Sequence, residues 1–159
     1  MPSARAAKPS DWPAIARIYE EGIATGNATF EVGVPSFEAW DAAHLAAPRL
    51  VAEDAGDVVG WIAVSPVSPR EVYRGVVEHS VYVAEAARGR GVGSMLLAAL
   101  VKAAPSLGIW TIQTSLFPEN GVSVALHEAA GFRQVGRRER IAQFAGEWRD
   151  TVLLELRLP

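Results

Sequence analysis

No cysteine occurs in the 159 residues. That excludes a disulfide framework, thiolate metal sites and a cysteine nucleophile, and it fits a cytoplasmic chain. Long apolar runs are also missing: nothing approaches the ~20 residues that a membrane-spanning helix needs. The opening Met1-Pro2-Ser3-Ala4-Arg5 lacks the apolar core of a secretory signal. Excess positive charge is absent, with a net charge of −3 and a pI near 5.6, so nucleic acid is not expected as a partner. Histidine is scarce, and His44, His79 and His127 lie too far apart for metal-ligand spacing, so no metal is expected. What is present is ordinary for a soluble globular chain: 50% hydrophobic and 21% charged residues, with one domain over 1–159 as the natural expectation.

Periodicity gives the elements in order. Residues 4–8 suggest a short edge strand. Ser10-Asp11-Trp12-Pro13 starts a helix whose Trp12, Ile15, Ile18, Tyr19 and Ile23 form one apolar face. A loop over 28–34 carries Phe30 and Glu31, and Pro35-Ser36 starts a second helix. Residues 50–53 and 58–64 read as a hairpin around Asp54-Ala55-Gly56-Asp57. Residues 72–83 read as a long strand, with Gly75 as a candidate bulge. A helix over 92–104, a strand over 109–116, a helix over 121–130 closed by Gly131, and two strands over 132–144 and 148–158 complete the chain. The order β-α-α-β-β-β-α-β-α-β-β describes a mixed α/β (α+β) domain with one central sheet.

The chemistry concentrates at Val81-Tyr82-Val83-Ala84-Glu85-Ala86-Ala87-Arg88-Gly89-Arg90-Gly91-Val92-Gly93-Ser94. A strand runs into three alternating glycines and then into a helix. Glycines permit tight turning and close approach to the amides, and a helix start presents unpaired N–H groups that favour an anion. Arg88 and Arg90 add charge, so the segment reads as a phosphate cradle. It lacks the lysine and hydroxyl residue of a Walker A loop. Its third glycine comes one position early for the dinucleotide fingerprint, and too little chain follows for the remaining units of a dinucleotide fold. A second basic group, Arg133, Arg137, Arg138 and Arg140, reads as a solvated strand surface.

The remaining pattern, Arg88-x-x-Gly91-x-Gly93 between a Val-Tyr-Val strand and an apolar helix, resembles the acetyl-CoA cradle of the GNAT acyltransferase superfamily. Asn120-x-x-Ser123 followed by Leu126-His127-Glu128-Ala129-Ala130-Gly131-Phe132 resembles a second element of that family. Val77-Glu78-His79-Ser80-Val81-Tyr82-Val83, Tyr73-Arg74 and Phe144-x-x-x-Trp148-x-Asp150 are similar to the phosphinothricin and methionine sulfoximine N-acetyltransferase branch. Val76 and Gln143 depart from that branch, at positions where relatives carry threonine and lysine.

The resemblance implies a mostly antiparallel central sheet flanked by about four helices, a homodimer, and acetyl transfer from acetyl-CoA to a small amine or amino-acid analogue. It implies cofactor contacts from the Val81, Tyr82 and Val83 backbone, from Arg88, Gly89, Arg90, Gly91, Val92, Gly93 and Ser94, and from Asn120. Amine attack on a thioester needs a proton acceptor, and Glu78 on the strand beside the cofactor path is the candidate base. His127 stands where many relatives place a proton-donating tyrosine, although packing or capping would also explain it. His79 points to the opposite strand face from Glu78 and reads as structural. Arg74 is the candidate for an acceptor carboxylate, with Phe30 and Tyr73 as pocket walls. An acetyltransferase for a polyamine or a protein N-terminus, and a non-catalytic acetyl-CoA-binding module, remain open at this point.

Overall fold

The computed structural model describes residues 1–159. In chain order the elements are β1 (Ser3–Ala6), α1 (Trp12–Ala24), α2 (Phe37–Ala43), β2 (Arg49–Asp54), β3 (Asp57–Pro66), β4 (Val76–Val83), α3 (Val92–Ala103), β5 (Thr111–Leu116), α4 (Gly121–Ala129), β6 (Arg133–Phe144) and β7 (Glu147–Arg157). They build a seven-stranded sheet in the order β1-β2-β3-β4-β5-β7-β6. Every neighbouring pair is antiparallel except β4 and β5. This is the mixed, mostly antiparallel architecture with four helices that the sequence led us to expect.

Strand alternation decides what each face meets. On β4, Tyr82 turns toward α1, where its ring lies so close to Gly22 that an added Cβ would sit 2.5 Å from a ring carbon. Tyr82 also stacks on Trp61 of β3, with centroids 4.9 Å apart, and Trp61 meets Trp40 of α2 edge-on. Val83 turns the other way, toward Gly93 of α3, which also lies against Leu126 of α4. Helices α1 and α2 therefore cover one face and α3 and α4 the other. Trp61, Ile62, Leu96, Leu97, Leu100, Ile112 and Leu154 are almost wholly buried in the resulting core. Each such side chain contributes about 1.5–3 kcal/mol relative to exposure.

Three details differ from the sequence reading. No side chain caps the start of α1, where the N-cap residue is Asp11 rather than Ser10. The Asp11 carboxylate instead accepts from the Lys8 N–H (2.7 Å) and from Arg5 (2.9 Å), which holds it below the usual carboxylate range. Residues 71–73 form a 3-10 turn, so the strand begins only at Val76. Gly75 is no bulge: its Cα faces the Trp110 ring, where a Cβ would meet ring carbons at 2.1–2.5 Å. In the basic group on β6, Arg133 pairs with Glu155 and Arg137 with Asp150 on the neighbouring strand.

Candidate active site

Strands β4 and β5 begin side by side and then part. They pair only from Val76–Glu78 to Thr111–Gln113, although β4 continues to Val83 and β5 to Leu116. Beyond Glu78 the edges that face each other have no strand partner. The gap is a cavity of about 330 Å³ lined by both strands, by residues 28–31, and by Asn120, Ser123 and His127 of the α4 region. Two carboxylates, Glu31 and Glu78, lie in its lining, and no lysine or arginine does. Glu78 is half-buried, and its carboxylate has neither an ion-pair nor a hydrogen-bond partner.

On the α4 face of the sheet, His79 and His127 form a buried pair. Their rings stack with centroids 4.9 Å apart and their Nε2 atoms lie 2.9 Å from each other. The Ser123 carbonyl, 2.6 Å from His127 Nδ1, accepts a hydrogen bond and so fixes the proton on Nδ1. In the neutral ring His127 Nε2 is then an acceptor, and His79 Nε2–H is its donor. His79 Nδ1 remains a buried lone pair without a partner. Burial, together with the neighbouring His127, pushes His79 down to about 3, and burial also lowers His127. Both rings are therefore neutral at pH 7.

The cradle sits where β4 ends and α3 begins. Gly89 (φ 76°) and Gly91 (φ 79°) occupy the left-handed region that other residues avoid. The first bond back into the helix runs from Met95 N–H to the Gly91 carbonyl, so the amides from Gly89 to Ser94 have no partner. No side chain caps this helix start. It is a cluster of unsatisfied donors at the positive end of a helix dipole, beside the free guanidinium of Arg88.

This chain is similar to known proteins in sequence and in fold. Residues 12–132 match the Acetyltransferase (GNAT) family. The chain belongs to the GNAT acetyltransferase family. The L-methionine sulfoximine/L-methionine sulfone acetyltransferase of Pseudomonas paraeruginosa is 36% identical over 98% of this chain and 94% of its own length. The phosphinothricin N-acetyltransferase of Alcaligenes faecalis is 37% identical over 95% of this chain and 80% of its own. The GNAT superfamily phosphinothricin acetyltransferase of Sinorhizobium meliloti, solved in complex with acetyl-CoA, superposes with a TM-score of 0.89. It is 31% identical, covering 99% of this chain and 88% of that one.

In this acetyltransferase the residues singled out from sequence fall into three sets. Glu78, Val81, Tyr82, Asn120, His127 and Phe30 line the wedge. Phe30 packs edge-on against Phe117 (4.8 Å) and Phe144 (5.6 Å). Arg88, Gly89, Gly91, Val92, Gly93 and Ser94 form the cradle, with Val83 leading into it. Arg90 belongs to the cradle by position, but its guanidinium donates to Asp54 at 2.9 Å and ties the loop to the β2–β3 turn. Asn120 accepts from Ser123 N–H as a helix cap and donates to the Asn27 carbonyl at 3.3 Å. Tyr73 and Arg74 lie outside the wedge, on the exposed 71–74 turn. There Arg74 packs over Trp110 (5.2 Å) and approaches Glu71 (3.6 Å). His127 lies in the wedge lining with Nδ1 on the Ser123 carbonyl and Nε2 against His79 Nε2, so proton donation from it to a ligand would have to break one of these contacts.

His79 and Arg149 take places in the structure that the sequence reading does not give them. His79 was assigned to the far strand face, which is right, but that face meets α4 and places it against His127. Arg149 carries no motif; it approaches residues 26–27 only through the fold. Among His, Asp and Glu, no group of three has the arrangement needed to hold a metal ion, and no helix is long and apolar enough to cross a membrane.

Proposed function

We propose that the protein transfers the acetyl group of acetyl-CoA directly to the amino group of a small amino-acid-like acceptor of the methionine sulfoximine or phosphinothricin type. Glu78 acts as general base. The observation that carries the proposal is the Glu78 carboxylate, uncompensated and half-buried in the wedge. A protonated amine cannot attack a thioester, and Glu78 can take that proton directly or through water.

The residues present fit acetyl-CoA. The unpaired edge over 81–83 suits the amides of its arm, and the free amides from Gly89 to Ser94 with Arg88 suit its pyrophosphate. When bound, it supplies an activated acetyl group. A β4 amide near Tyr82 or Val83 stabilises the developing oxyanion. Phe30 walls the acceptor side, Asn120 fixes the start of α4, and Tyr73 and Arg74 serve an acceptor carboxylate from the exposed turn. The same proposal takes the protein as a cytoplasmic homodimer.

One observation favours a second reading. The wedge holds Glu31 and Glu78 and no cationic side chain, which suits an amine that lacks a carboxylate. A thiol-release assay with acetyl-CoA separates the two. Turnover of methionine sulfoximine or phosphinothricin supports the first reading. Turnover of polyamines alone supports the second, and acetyl-CoA binding without thiol release for any amine would sink both.

A further inference from the structure

Residues 27–35 contribute Ala28, Thr29, Phe30 and Glu31 to the wedge, yet the segment makes no backbone–backbone hydrogen bond. Its backbone amides at Asn27 and Glu31 are taken up locally by the hydroxyls of Thr25 and Thr29, two residues back in each case. Side chains therefore hold it to the body of the protein. At its start, Arg149 donates to the Asn27 side-chain oxygen at 3.0 Å and approaches the Gly26 carbonyl at 3.4 Å, while Asn120 donates to the Asn27 carbonyl. The Arg149 guanidinium also lies 4.0 Å over the Phe117 ring, the ring against which Phe30 packs, with Glu119 at 3.7 Å. Only 15% of the Arg149 side chain is exposed.

We propose that Arg149 is a positioning residue for the acceptor: it latches the 27–35 segment through Asn27 and braces Phe117, so that Phe30 and Glu31 stand at the wall of the wedge. No hydrogen bond or ion pair joins Arg149 or Asn27 to the cradle residues 88–94. The effect of Arg149 therefore falls on the acceptor rather than on the cradle. The kinetic part rests on the proposed acetyl transfer, whereas the latch itself does not.

The test uses Arg149→Met, which keeps an aliphatic stem over Phe117 and loses the charged donors, with Arg149→Lys as the conservative variant and Asn27→Ala at the other end of the latch. A glutamate-specific protease under native conditions reports the latch without any acceptor. Cleavage after Glu31, identified by mass, is expected to accelerate about tenfold in Arg149→Met and in Asn27→Ala, the scale of losing charged hydrogen bonds. Arg149→Lys is expected to restore most of the protection. Unchanged cleavage in both Arg149→Met and Asn27→Ala overturns the latch. In turnover, the KM for methionine sulfoximine is expected to rise about tenfold with the KM for acetyl-CoA unchanged, and the double variant Arg149→Met/Asn27→Ala is expected to be no worse than either single. A parallel rise in both KM values, or additive effects, overturns the positioning role. Should no amine be turned over, the functional reading fails and the protease result still decides the latch.

Discussion

His79 and His127 face each other Nε2 to Nε2 at 2.9 Å across the junction of β4 and α4, with a single hydrogen between them. The Ser123 carbonyl sets the tautomer of one ring, and that ring sets the tautomer of the other. The pair fixes the α4 face of β4 one residue away from Glu78, which turns to the opposite face. It is a neutral device, and its neutrality has a cost in acid.

The folded pKa of His79 is depressed to about 3 by burial, with the nearby His127 adding to it, against an ordinary value near 6.5. Between these values the unfolded chain binds a proton that the folded one refuses, so stability rises with pH across that window. The contribution is fully present above about pH 6.5 and is lost progressively toward pH 3. Asp11, held low by Arg5, adds a further loss only below the ordinary carboxylate range. Urea unfolding at pH 7 and pH 5 is expected to show a lower midpoint at pH 5, and His79→Gln is expected to reduce that difference, with the remainder due to His127 and His44, which burial also lowers. His127→Phe leaves a buried N–H of His79 unpaired and is expected to cost about 1–3 kcal/mol at pH 7.

Glu78→Gln keeps the size of the side chain and removes its basicity. The expected result is a fall in kcat of about 10²- to 10⁴-fold, the range for a positioned general base, with the KM for acetyl-CoA retained. Thiol release under saturating donor measures it, and undiminished turnover would remove Glu78 from the role.

Arg88 and Arg90 flank the same glycine but differ in their engagement. Arg88 has no partner, while Arg90 is paired with Asp54. Arg88→Ala is therefore expected to raise the KM for acetyl-CoA about tenfold, as for loss of a charge-assisted phosphate contact. Arg90→Ala is expected to change it by less than about threefold, because an exposed pair contributes little. Equal effects from the two variants would show that Arg90 leaves Asp54 when the donor binds.

Gly22 lies under the Tyr82 ring with no room for a methyl group. Gly22→Ala must displace Tyr82 from its stack on Trp61 and so shift β4. It is expected to cost about 1–3 kcal/mol by overpacking, read as a lowered thermal midpoint. The α-helical preference of alanine works in the opposite direction and is smaller, about 1 kcal/mol. A raised midpoint would mean that Tyr82 has another place to go.

Local chemistry in the sequence by itself determined the order of elements, most of their bounds and the cradle. Alternation over 76–83 and 3.6-residue periodicity over 12–24 are short-range signals. Glycines at 89 and 91 appear where the backbone takes positive φ, and Gly131 (φ 96°) closes α4 where a helix end requires it. The strand face of His79 followed from the same alternation. What lay opposite that face did not, because His127 is 48 residues away on a helix whose docking depends on the whole sheet. The same holds for Arg149 and Asn27, 122 residues apart, and for Arg74, whose packing over Trp110 follows from the turn at 71–73. The wedge itself was illegible: each strand looks continuous in sequence, and only the sheet shows that β4 and β5 share three pairs before they part. Short-range propensity fixes elements, whereas a site made where two strands separate depends on which distant surfaces each strand packs against. Tertiary structure decided that, and with it which charged groups face the cavity and which are held elsewhere.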